Sequence, residues 1–210
     1  MFLLVSCASF AQSFPEKKED KASSGEYMGV GGGQYFLKDW SDGVIRFSSG
    51  KVTDKFKLKF NTAQNKLLLQ FNGSAFAAES KVKEFVMYTK NKKDSFLFRK
   101  GYPITERGNE ETFYQVLEEG NATLLQLSAK DIIEEKEILE AKVSRHYTDV
   151  ELFYIFRDGK MHKVEKETTP VQDILLDRRD ELKRYISEQQ LKMRSAEDLV
   201  KVVKKYNDLQ

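Results

Sequence analysis

The chain is short of the residues on which most recognisable chemistry depends. A single cysteine, Cys7, excludes an intrachain disulfide framework and any cysteine-rich zinc module. The 2 histidines, His146 and His162, are not on the i, i+4 spacing that gives a helix two metal ligands on one face. No Gly-x-Ser-x-Gly nucleophile elbow occurs. Net charge is small as well: 35 basic against 33 acidic residues leave +2, so no overall polycation recruits nucleic acid, and none is expected as a partner. No apolar run approaches the roughly 20 residues of a membrane-crossing helix. The run Gly29-Val-Gly-Gly-Gly33 has no strand before it, no helical pattern after it and no P-loop lysine, so it is not a nucleotide fingerprint and no cofactor is expected.

What the chain does have is core-forming material. Hydrophobic residues make up 40% and aromatics 12% of its 210 positions, enough to bury a core and too much for intrinsic disorder. From Val44 the apolar period is near two. Lys51–Phe60 reads as one strand with Phe56, Leu58 and Phe60 on its dry side and Lys55, Lys57 and Lys59 on its wet side. Similar strands are expected at Leu67–Phe71, Val82–Tyr88, Ser95–Arg99, Thr112–Leu117, Thr123–Leu127, Val150–Arg157 and Met161–Val164. Ser49-Gly50, Asn72-Gly73, Glu119-Gly120-Asn121 and Asp158-Gly159 separate them, the last being a type I′ hairpin signal. Ile132–Val143 fits helical spacing, but its neighbours are strands, and strand or an irregular excursion is preferred.

After Pro170 the period lengthens. Asp177 is the expected N-cap of a helix carrying Leu182, Tyr185 and Ile186 inward. Ser195-Ala-Glu-Asp198 resembles a capping box, and Leu199, Val202, Val203 and Tyr206 behind it form one apolar stripe. The expected fold is α+β and mainly β: an antiparallel sheet (meander, sandwich or partly open barrel) with two short C-terminal helices packed on it. The segments are 1–11 as the remnant of a signal peptide, 12–34 as a flexible lead-in, 35–168 as the antiparallel domain and 169–210 as its helical segment.

The address is read from the start. Phe2–Ala11 is apolar, ends in the small residues Ser9 and Ala11, and is followed by a polar run, as at the end of a secretory signal peptide. If that segment is removed, the rest of the chain holds no cysteine, which suits an oxidising compartment. The alternative is a lipobox, Leu4-Val5-Ser6-Cys7, with a lipoprotein anchored through Cys7.

Candidate sites are surfaces rather than motifs. Lys55, Lys57 and Lys59 form the candidate face for an anionic ligand. Tyr35, Phe36 and Trp40 form the candidate aromatic platform, or else a plug over an open end of the sheet. Residues 51–100 carry 12 basic and 4 acidic residues, and 101–150 carry 5 and 11. Such asymmetry steers charged partners, or the two stretches neutralise one another in the sheet. A glycosidase-like carboxylate pair is the competing chemistry, with nothing to single out two of 33 acids.

Several of these segments, Gly33-Gln-Tyr35-Phe36, Trp40-Ser-Asp-Gly43, Leu58-Lys-Phe60-Asn61, Phe113–Gly120, Leu152–Lys160 and Glu197-Asp-Leu-Val with Tyr206-Asn207, run in the order seen in a group of uncharacterised exported proteins of Bacteroidota-type bacteria, which the chain resembles. The resemblance implies a periplasmic or cell-envelope protein and supplies no catalytic, cofactor or metal residues. The expected function is a noncatalytic binding or structural module, meeting an envelope glycan, an anionic lipid surface or another envelope protein. The alternative is a hydrolase using a carboxylate pair. Expression with a secretion-competent upstream sequence should yield a mature chain starting at Gln12 by mass spectrometry, and an uncut cytoplasmic chain would refute the export reading.

Overall fold

The computed structural model describes residues 30–31, 33–78, 81–137, 142–165 and 170–209. The signal-like segment, Cys7, most of the lead-in and the 168/169 boundary lie outside them.

Alternating burial makes the strands where period two is present. Val82–Tyr88 buries Val82, Phe85 and Met87, with a register shift beside Phe47 that accounts for the uneven spacing. In chain order the strands are β1 (Val30–Gly31), β2 (Gly43–Phe47), β3 (Val52–Thr53), β4 (Lys57–Asn61), β5 (Lys66–Phe71), β6 (Ser74–Ala77), β7 (Val82–Tyr88), β8 (Ser95–Arg99), β9 (Tyr114–Glu118), β10 (Thr123–Glu137), β11 (Lys142–Arg157) and β12 (Lys160–Val164). Helices α1 (Val171–Ile174), α2 (Arg179–Glu188) and α3 (Ala196–Asp208) follow, with a 3-10 turn at Leu176–Arg178.

Two open sheets result. The larger has 9 strands, in which β7 to β12 form an antiparallel meander, β2 and β3 extend one edge, and β1 runs parallel to β11. The smaller is the antiparallel trio β4-β5-β6. The α+β, mainly antiparallel expectation therefore holds, with the sandwich confined to one end.

Register shows how the covers fit. Ile45, Phe85, Phe98, Gln115, Gln126, Phe153 and Val164 are successive partners from β2 to β12, so they share one face of the large sheet. At one end of that row Leu58, Phe60, Leu67 and Leu69 of the small sheet pack on Ile45, Phe85 and Phe98. At the other end the helices supply Leu182, Leu199, Val202, Val203 and Tyr206 over Leu124 and Ile155. On the opposite face Tyr102, Tyr114 and Tyr154 meet edge to face beside Leu125 and Leu127.

Three expectations change. Lys51–Phe60 is not one strand: β3 pairs with β2, the chain bends at 54–56, and β4 joins the other sheet. Apolar alternation continues across the bend, which is why the sequence conceals it. Asp177 does not cap α2, whose N-cap is Arg178 without a side-chain bond. Its carboxylate instead accepts the Tyr206 hydroxyl (3.0 Å) and Arg157 Nη1 (2.6 Å), joining the helices to β11. β6 was not foreseen at all, although the Asn72-Gly73 turn that makes it has positive φ at both residues (48° and 83°). Ile132–Val143 is strand at all its described positions, and residues 138–141 lie outside them. Ser195 caps α3 as expected, accepting from Asp198 N–H at 3.2 Å.

Two asparagines bond the backbone as a neighbouring strand would. Asn65 accepts from Phe113 N–H (2.8 Å) and donates to its carbonyl (3.0 Å), tying the small sheet down. Asn207 accepts from Ala122 N–H and donates to Ala122 O, both at 2.9 Å, tying α3 to the start of β10. Gly120 is glycine for this reason: a Cβ there would lie 2.4 Å from Asn207 Cγ.

These contacts set measurable outcomes. Val203 is fully buried among apolar side chains, so Val203→Asp should lower unfolding stability by about 3 kcal/mol or more in urea. Asn207→Ala strands two buried backbone groups and should cost about 2 kcal/mol. Gly120→Ala breaks the same pair of bonds, so the double variant should cost clearly less than the sum of the singles. Burial also raises the pKa values of Tyr102, Tyr114 and Tyr154 above the ordinary 10.0. The folded state then favours the neutral phenols, so their contribution is complete below pH 10 and is lost as pH rises through the folded values. By hydrogen-bond geometry the Tyr154 hydroxyl has no partner among the described residues, so Tyr154→Phe should not lower neutral stability and should flatten the alkaline loss, read as urea midpoint against pH.

Candidate functional site

The outer face of the small sheet brings together two of the surfaces anticipated separately. Leu58 and Phe60 fill the core, so the strand's period turns Lys57 and Lys59 outward, about 7 Å apart along β4. Residues 35–41 run antiparallel beside β4, held by the bridges Tyr35–Asn61 and Ser41–Leu58. Phe36 N–H donates to Phe60 O, and Ser41 and Leu58 exchange backbone bonds (2.8–2.9 Å). That lacing places the Lys59 ammonium 4.4 Å from the Tyr35 ring centroid and 5.7 Å from that of Trp40, within cation–π reach of both. All three side chains are half-buried.

The remaining members divide. Phe36 does not belong to the platform: its ring turns inward, edge-on to Phe96 (4.9 Å) and Phe98 (5.0 Å), and plugs the core. Lys57 donates to Asp42 Oδ1 at 2.6 Å, with both side chains about half exposed (51% and 52%). This bond holds the Asp42 carboxyl below the usual range, outweighing a slight burial penalty. An exposed pair of this kind contributes about 1 kcal/mol or less, so Lys57 can exchange Asp42 for an anionic ligand at small cost. Lys55 stands at the bend rather than in the strand and lines a cleft of about 260 Å³ with Asp42, Asp54, Lys57 and Gln70. The register adds Leu68 and Gln70 of β5 and Ala75 and Ala77 of β6 to the outer face, a floor that sequence reading missed because β6 was missed.

Other candidates disperse. His162 pairs in register with Ile155, nine residues along β11 from His146, which is about 30 Å of strand. The two imidazoles cannot share an ion. Among the described residues no three His, Cys, Asp or Glu side chains converge as metal ligands do. The basic and acidic stretches meet in the sheet through Arg99–Glu119 and Lys100–Glu111, each 2.5 Å, while Arg99 and Arg46 both bind Glu84. No described helix is long and apolar enough to cross a membrane. Asp42 and Asp54 share the small cleft, but Asp42, held ionised by Lys57, is unsuited to act as an acid.

No protein-family model, curated protein or solved structure matches the chain, so the functional reading rests on its own residues.

Proposed function

We propose that this chain is an exported protein of the bacterial cell envelope, in the periplasm or at its boundary, that binds an acidic glycan without transforming it. The outer face of β4–β6 is the binding surface. The observation that carries the reading is the Lys59–Tyr35–Trp40 cluster, a cation and two aromatic planes on one accessible face beside an exchangeable Lys57–Asp42 pair. Sugar rings lie against aromatic faces, and their carboxylates or sulfates call for lysine close by; both requirements meet here. The flat floor of Leu68, Gln70, Ala75 and Ala77 leaves room for an extended chain. The signal-like residues Phe2–Ala11 are what the address rests on. Among the described residues the hydrolase alternative rests on clefts that hold two carboxylates, Asp42 with Asp54 or Glu151 with Glu197.

Titration with a soluble polyuronate, with neutral glycans and anionic vesicles as controls, tests the reading. Changing Lys55, Lys57 and Lys59 together to Gln should weaken polyuronate binding about tenfold or more and flatten its salt dependence. Trp40→Ala should weaken it while keeping the salt slope. Binding unchanged in both variants overturns the site. Tighter binding to vesicles than to polyuronate moves the ligand to a lipid headgroup, and glycoside turnover abolished by Asp42→Asn or Asp54→Asn replaces the reading with the hydrolase.

A further inference from the structure

β10 and β11 are far longer than the sheet they belong to. β10 has 15 residues, about 50 Å of strand, and its pairing with β11 is unbroken from Thr123–Phe156 to Glu137–Lys142. On its other side β9 pairs only with Leu124, Leu125 and Gln126. From Leu127 to Glu137, therefore, the β10 edge carries no strand among the described residues. β1 adds a short third strand only on the β11 side, at Arg145 and His146. A ribbon of two strands is marginal in water, because the backbone groups along its outer edge have no ladder partner among the described residues.

We infer that the free β10 edge joins the same edge of a second copy of this chain, antiparallel, to form a symmetric dimer with a continuous sheet across the interface. The register that brings unlike charges together puts Ile132 on the two-fold axis. In that register Lys130 faces Glu134 of the second copy, and Ile132 faces Ile132. Asp131, ion-paired with Arg107 of its own chain, faces Ile133. Among these pairs no charged residue meets one of its own sign.

The neighbouring strand extends the match. Within each chain Lys130 is opposite Asp149 and ion-paired with it, and Glu134 is opposite Arg145 at 2.7 Å. The dimer lines these up as Asp149, Lys130, then Glu134 and Arg145 of the second copy, a row of alternating sign repeated on both sides of the axis. Between the two rows lie Tyr147 and Ile132 from each chain, paired in register across β11 and β10. Ile132, 41% exposed in one chain, is covered at the centre. Opposite residues of an antiparallel pair share a face, so the axis must pass through a residue, and moving it to Asp131 sets two Asp131 carboxylates against one another. About ten new backbone hydrogen bonds form along the shared edge.

Analytical ultracentrifugation of the full chain tests this. The unaltered protein should sediment at twice the monomer mass at micromolar concentration. The variant Lys130→Glu with Asp149→Lys keeps its own cross-strand pair but sets Glu against Glu134 of a second copy. The variant Glu134→Lys with Arg145→Glu likewise sets Lys130 against Lys. Each should be monomeric, with an unchanged circular dichroism spectrum to verify folding, and an equimolar mixture should recover the doubled mass because the reversed rows complement one another. An unaltered chain that stays monomeric up to its solubility limit overturns the inference. So does either variant remaining dimeric alone, or a mixture that stays monomeric.

Discussion

One apolar row governs the architecture. Ile45, Phe85, Phe98, Gln115, Gln126, Phe153 and Val164 cross seven strands on a single face, and among the described residues no single element covers it alone. The solution is two unrelated covers, a three-stranded sheet at one end and the helices at the other. The row itself marks where they meet: its two polar members, Gln115 and Gln126, are direct partners at its middle. Each cover needs directional anchoring as well as apolar contact, since burial alone does not fix position. Asn65 and Asn207 provide it, each bonding both polar groups of one backbone unit.

The candidate site is a by-product of that solution. A sheet used as a cover must have a second face, and β4–β6 turns it to solvent with Lys57 and Lys59 standing on it. The inner residues Leu58, Phe60, Leu67 and Leu69 are almost fully buried, so the outer face has a rigid base. The strip 35–41 adds the aromatic rings because its own backbone is bonded to β4. Charge and aromatic surface thus converge through a strand-like pairing between stretches some twenty residues apart, with no motif in either.

Legibility followed the range of the cause. Ser195, the stripe Leu199-Val202-Val203-Tyr206 and the Asp158-Gly159 turn were readable because their reasons lie within a few residues. The switch between sheets at 54–56 was not, since alternation before and after it is the same in either sheet. Asp177 looked like a cap from its neighbours, but its partners, Arg157 and Tyr206, are 20 and 29 residues away. Lys57 and Lys59 were correctly placed outward by period two; that Asp42 would bind one and Tyr35 with Trp40 the other needed the register. Gly120 read as an ordinary turn glycine, whereas its constraint is a side chain far along the chain.

The bond between Asn207 and Ala122 spans 85 residues, whereas β7 to β12 pair as successive neighbours. Loops that close early are short and loops that close late are long, so the meander can assemble while α3 is still unmade. Until α3 arrives, Leu124 and Ile155 lack Leu199, Val202, Val203 and Tyr206, and the growing sheet presents part of its apolar face to whatever is near. A ribosome stalling before residue 196, or a protease trimming the last turn of α3, would therefore leave a sheet whose strands are paired but whose surface is adhesive. For this chain the hazard of incomplete synthesis lies in aggregation of a nearly finished molecule rather than in failure of the strands to pair.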